Sequence, residues 1–66
     1  MRVTVNEQPH NVPAETTIID LLKIANVPPN YLAVEVNQEV IPRVVHATHV
    51  LCEGDAVEVV TLVGGG

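Results

Sequence analysis

A chain of 66 residues is one domain, and at that size folding buries only about 60% of the unfolded surface, so the core has to be efficient. Hydrophobic residues make up 47%, with one Tyr and no Phe or Trp, and eight acids against Arg2, Lys23 and Arg43 leave a net charge of −5. That balance argues against a disordered chain and against a surface for nucleic-acid phosphates, while one cysteine, Cys52, excludes an internal disulfide framework.

No apolar stretch approaches the length of a membrane span, and the alternating start "MRVTVNEQ" is unlike a secretion signal. The expectation is a soluble, cytoplasmic domain that meets proteins with basic surfaces. From Arg2 to Asn6 the chain alternates, Met1, Val3 and Val5 on one side and Arg2 and Thr4 on the other, which predicts a strand. "NEQP" is turn material, and His10 to Val12 is the expected returning strand, with Pro9 suited to an edge. The period then changes. Ile18, Leu21, Leu22 and Ala25 fall at i, i+3, i+4 and i+7, the face of a helix of about ten residues. Thr17 is its expected N-cap, Asp20 completes a weak capping box, and Pro28 and Pro29 mark the stop.

Leu32, Val34 and Val36 share one face of a third strand. "NQ" turns it, and Val40-Ile41 is a short fourth strand ended by Pro42. Val44 to Cys52 reads as a turn or short helical segment, and Gly54-Asp55 as a turn. Ala56 to Val63 is the last, longest and most apolar strand. Val57, Val59, Thr61 and Val63 lie on one face of it; Ala56, Glu58, Val60 and Leu62 lie on the other. The order predicts an α+β fold of the β-grasp, or ubiquitin-like, type, in which the first and last strands lie centrally and pair in parallel. It is a mixed four- to five-stranded sheet with one main helix packed on one face. Residues 1–63 form the single domain and 64–66 a flexible C-terminal glycine tail.

Gly64, Gly65 and Gly66 give nothing to a core and lose much entropy on ordering, so the working group is expected to be the carboxylate of Gly66. Three residues reach about 10 Å past the fold at most, and without Cβ atoms they can thread a narrow channel and approach a nucleotide closely. Adenylation by another enzyme would make that carboxylate a mixed anhydride open to a sulfur or nitrogen nucleophile. The chain itself is then a carrier and not an enzyme. One helix covers one face of a sheet, so Val60 and Leu62 on the other face form an expected docking patch leading into the tail.

"VEVNQEVIPR" (Val34 to Arg43), "EGDAVEVV" (Glu53 to Val60) and the closing "VGGG", with "TTIIDLL" at a helix start, resemble the ThiS family of sulfur carrier proteins over nearly the whole chain. The resemblance implies a β-grasp fold and a role in making the thiazole of thiamin. It implies a ThiF-like adenylating enzyme that uses ATP on Gly66 and a sulfur-donating enzyme that leaves a thiocarboxylate there. Thiazole synthase, a ThiG-like partner, would receive the sulfur. No cofactor is expected on the chain itself. Arg43, in the family-like "PR", is expected at a partner contact, though it could instead cap the fold. One departure is His46, where the family often has a tryptophan. The small subunit of molybdopterin synthase shares the fold and the terminal glycines but has a Pro-Pro-Val stretch that is missing here. A modifier conjugated to lysines, or a plain binding module with a frayed end, are the other readings.

Three further residues invite and resist a chemical role. His46, His49 and Cys52 are spaced three apart but lack a fourth ligand or a Cys-x-x-Cys pair, so surface or turn histidines are expected and no metal. Cys52 has acidic neighbours, Glu53 and Asp55, and is expected to be partly buried and unreactive.

Overall fold

The computed structural model describes residues 1–61. The expectations for Leu62, Val63 and Gly64 to Gly66 lie outside the described residues. Strands β1 (Arg2–Val5), β2 (Gln8–Asn11), β3 (Ala33–Val36), β4 (Glu39–Val40) and β5 (Ala56–Val60) form a mixed sheet in the order β2-β1-β5-β3-β4. As the sequence predicts, β1 and β5 are central and parallel; the other pairs are antiparallel. Helix α1 (Ile18–Ile24) presents Ile18, Leu21 and Leu22 to a core that includes Val3, Val5, Val34, Val36, Val57 and Val59. The alternation read from β1, β3 and β5 therefore puts its apolar members under the helix, as a sheet covered on one face requires.

Both hairpins close with two-residue loops. Asn6 and Glu7 have φ of 48° and 70°, and Asn37 and Gln38 have 52° and 71°. Positive φ at both central residues is the type I′ turn, whose twist matches that of the strands it joins. The first loop sets Val5 opposite Gln8, so β2 begins two residues before the expected His10 and ends at Asn11. Pro9 lies on this edge strand, where its missing N–H costs nothing. The second loop pairs Val36 with Glu39, so β4 is Glu39–Val40 in place of Val40-Ile41.

Helix α1 starts where Thr17 predicts. The Thr17 hydroxyl accepts from the Asp20 N–H (3.2 Å) and the Asp20 carboxylate accepts from the Thr17 N–H (3.3 Å), a complete capping box. The next two donors, from Ile18 and Ile19, go to the carbonyls of His49 and His46, both at 3.1 Å. These contacts satisfy N–H groups that a helix start leaves open.

The end differs from expectation. The helix has seven residues, not ten, and stops before the prolines. Asn26 sits at φ 59°, its N–H donating to Lys23 O (3.1 Å), while the Val27 N–H donates to Leu22 O (2.9 Å). That is a Schellman closure with Asn in the left-handed position. Leu32 also departs from expectation. It lies before β3, is 55% exposed and does not join Val34 and Val36 in the core.

Candidate functional site

Strand β5 is followed in sequence by Thr61 to Gly66, and the sheet holds the strand from both sides. On the β1 side, Asp55 O and Val57 O accept from the N–H groups of Thr4 (3.0 Å) and Asn6 (2.8 Å). Strand β1 ends at Val5, yet the next β5 donor is not left open: the Val59 N–H donates to Asn6 Oδ1 (2.7 Å). The Asn6 side chain thus continues the ladder beyond its own strand.

Asn37 does the same on the β3 side. Its N–H donates to Ala56 O (2.8 Å), its Oδ1 accepts from the Ala56 N–H (3.0 Å), and its Nδ2 donates to Asp55 Oδ1 (3.0 Å). Asp55 Oδ2 in turn accepts from the Cys52 N–H (2.8 Å), closing the turn at Gly54, which has φ 84°. Asn37 and Gly54-Asp55 are turn residues as expected, and the two turns are bonded to one another. Among the described residues the bond nearest the end of β5 is the Leu32 N–H donating to Val60 O (2.7 Å).

The face of the sheet away from α1 is set by register. Ala33 lies opposite Val60 and Glu35 opposite Glu58, with Val40 beside Glu35. Val57 and Val59 are buried while Ala56, Glu58 and Val60 are exposed, in agreement with the two-face reading up to Val60; the strand ends there, and Thr61, expected on the buried face, lies past it and is exposed. Val60 is 41% exposed and Leu32 stands next to its partner Ala33. A small apolar area therefore lies at the root of the tail, with two like charges directly across from each other behind it. Leu62 lies outside the described residues.

Arg43 opens a 3₁₀ turn, Arg43–Val45, in the stretch the sequence left ambiguous. One of its guanidinium nitrogens donates to Tyr31 O (2.6 Å), and the guanidinium carbon sits 4.2 Å from the centre of the Tyr31 ring. Of the two expected roles, capping the fold is the one these contacts describe.

His46 corrects the sequence reading. It lies in the turn after the 3₁₀ segment, as expected, but not on the surface: it is 1% exposed, with both ring nitrogens engaged. Nε2 is 2.8 Å from Ile41 O and Nδ1 is 2.9 Å from Tyr31 Oη. A carbonyl can only accept, so Nε2 carries the proton and Nδ1 accepts from the tyrosine hydroxyl. The two rings stack with centroids 5.8 Å apart. The 3₁₀ turn aims position 46 inward, and a buried polar ring is stable there because every donor and acceptor is matched. His46 is therefore part of the core and not a ligand; among the described residues no three His, Cys, Asp or Glu side chains form a metal-binding group. Cys52 is exposed rather than partly buried, since the alternation places Leu51 in the core and Cys52 outside it. Among the described residues no helix is long and apolar enough to cross a membrane.

Comparison with known proteins agrees with this geometry. The ThiS family model matches residues 2–66. The chain is 41% identical over 66 residues to a thiazole synthase of Magnetococcus marinus and 33% identical over 66 residues to a thiazole synthase of Paramagnetospirillum magneticum. Each match takes in 100% of this chain and 20% of the relative, so the chain spans about a fifth of the length of these curated relatives. Among solved structures it is similar to the crystal structure of a thiamine biosynthesis protein (ThiS) from Geobacter metallireducens, at 38% identity and a TM-score of 0.79, with 100% of both chains covered. It is likewise similar to the solution structure of a thiamine biosynthesis protein from the same organism. There the identity is 35% and the TM-score 0.74, over 100% of this chain and 88% of that one.

Proposed function

We infer the function from the premise that this chain belongs to the ThiS family: it is a sulfur carrier of thiamin biosynthesis whose reacting group is the carboxylate of Gly66. The observation that supports this most is that the family match runs through the terminal glycines, to residue 66. The strand before them is held on the β1 side up to Val59 and on the β3 side up to Val60.

In this reading a ThiF-like enzyme lets the Gly66 carboxylate attack the α-phosphorus of ATP, releasing pyrophosphate and leaving an acyl adenylate. Hydrosulfide supplied by a sulfur-donating enzyme then attacks the acyl carbon, the bond to AMP breaks as the carbon–sulfur bond forms, and a thiocarboxylate remains. A thiazole synthase takes the sulfur. That curated relatives named thiazole synthase contain a segment like this chain supports that destination. The catalytic groups belong to the partners, and the chain is their substrate.

Gly64 and Gly65 serve by having no side chains, since a Cβ would obstruct a narrow approach to a nucleotide. Val60 and Leu62 are the proposed partner contacts beside the tail, and Arg43 is a proposed contact on the helix side. The test is a chain lacking Gly66 and a second with residues added after it, each supplied to a reconstituted thiazole-forming system. Both should fold and both should fail. A truncated chain that still supports thiazole formation overturns the reading, and adducts on lysines of other proteins would make the chain a modifier instead.

A further inference from the structure

The cations of this acidic chain are unevenly placed. Two of its three Lys and Arg residues, Lys23 and Arg43, line a single apolar groove beside the C-terminal turn of α1. The rest of the lining includes buried Leu22 and Tyr31, half-buried Val27 and exposed Pro29. The groove has a volume of about 170 Å³. That is well below the roughly 300–1,000 Å³ of small-molecule sites, and it suits one anchoring side chain rather than a cofactor.

Arg43 is held in place before any partner arrives. It donates to Tyr31 O and stacks on the Tyr31 ring, and Tyr31 is itself fixed through its hydroxyl to His46, which is tied to Ile41 O. A cation fixed in this way loses little side-chain entropy on meeting an anion. Lys23 is exposed, and it also lines a neighbouring groove with Glu15 and Asp20.

We propose that this groove docks a segment of a partner protein that inserts one aliphatic side chain flanked by carboxylates. Charge complementarity selects that occupant. Two of the chain's three Lys and Arg side chains line this groove and no carboxylate does, on a chain of net charge −5. A second copy of the chain is disfavoured because it brings the same net charge to the encounter. The inference stands apart from the tail chemistry, since the groove lies on the helix side and not on the open sheet face.

The test uses a labelled peptide with one leucine flanked by aspartates, titrated to millimolar concentration into the isotopically labelled full chain and followed by amide chemical shifts. Shifts centred on Leu22, Lys23, Val27 and Tyr31 are expected. Replacing the leucine by serine should weaken binding at least about tenfold. Lys23→Gln and Arg43→Gln should each weaken it by up to about fivefold, less as salt is raised. Lys23→Glu, an exposed change that leaves the Tyr31 contacts intact, should reverse the preference towards a peptide in which lysines replace the aspartates.

No shifts at the groove would overturn the proposal. So would equal shifts from the leucine-free peptide, which show a bare anion site, or shifts that follow protein concentration without peptide, which show self-association.

Discussion

Asn6 does two jobs at once, and substitution separates them. Its backbone sits at φ 48° and its Oδ1 is the acceptor for the partly buried Val59 N–H. Asn6→Ala removes the acceptor, leaving a donor unmatched, at a cost of about 1–2 kcal/mol. It also puts an ordinary L residue in the left-handed region, which adds roughly 1 kcal/mol. The total is about 2–3 kcal/mol. For a domain of this size, whose whole stability is of order 3–10 kcal/mol, that is a large fraction. At about 4–8 °C per kcal/mol, the melting temperature should fall by roughly 10–20 °C.

Asn6→Gly keeps the backbone geometry and loses only the acceptor, so its cost should be about 1–2 kcal/mol. Asn6→Asp keeps both and should stay within about 0.5 kcal/mol of the parent. Urea unfolding followed by circular dichroism gives the three values, and hydrogen exchange at the Val59 amide reports the lost bond locally. Equal costs for the alanine and glycine variants would refute the backbone part of the reasoning. An aspartate variant as unstable as alanine would refute the acceptor part.

His46→Leu should cost about 2–4 kcal/mol in the same unfolding assay, because it strands Ile41 O and the Tyr31 hydroxyl, while Tyr31→Phe should cost about 1–2 kcal/mol. Long-range proton–nitrogen spectra should show His46 protonated at Nε2; a proton found only on Nδ1 would contradict the assigned network. Glu58→Gln relieves a directly opposed like-charge pair. It should stabilise the fold by a few tenths of a kcal/mol, an effect that shrinks as salt is added. Cys52→Ser should leave stability within about 0.5 kcal/mol, and a thiol reagent should label Cys52 in the folded chain without unfolding it.

What the sequence reveals depends on the range of the interaction. The two-residue alternation of β1, β3 and β5 and the i, i+3, i+4, i+7 face of α1 are local patterns, and within the observed elements each predicts the buried face; the misses, Leu32 and Thr61, lie just outside β3 and β5. The Thr17–Asp20 capping box is equally local. The helix stop was available too, in Asn26, but two prolines nearby are a louder signal than one Asn that closes a turn by its backbone angle. The side-chain bonds of Asn6 to Val59 and Asn37 to Ala56 span 53 and 19 residues, and no short window contains both partners.

The burial of His46 is of the same kind. Its match is Tyr31, 15 residues away, and without that partner in view a histidine in a polar stretch reads as exposed. For the candidate site, the facing of β5 residues and the exposure of Val60 follow from alternation alone. The like-charge pair Glu35–Glu58 needed the pairing of β3 with β5. The chemistry proposed for Gly66 rests on the composition of the last residues and on resemblance, and neither depends on the sheet.

The central claim concerns one atom of one residue, and mass spectrometry addresses it directly. The chain is incubated with ATP, a ThiF-like adenylating enzyme and a sulfur donor, then alkylated and digested. Exchange of one oxygen for sulfur matches oxidation of Met1 or Cys52 in nominal mass, so the alkylated group must be located within the C-terminal peptide. The account predicts a trapped thiocarboxylate on Gly66. An unmodified Gly66, with the same enzyme active on a proven carrier, would contradict it.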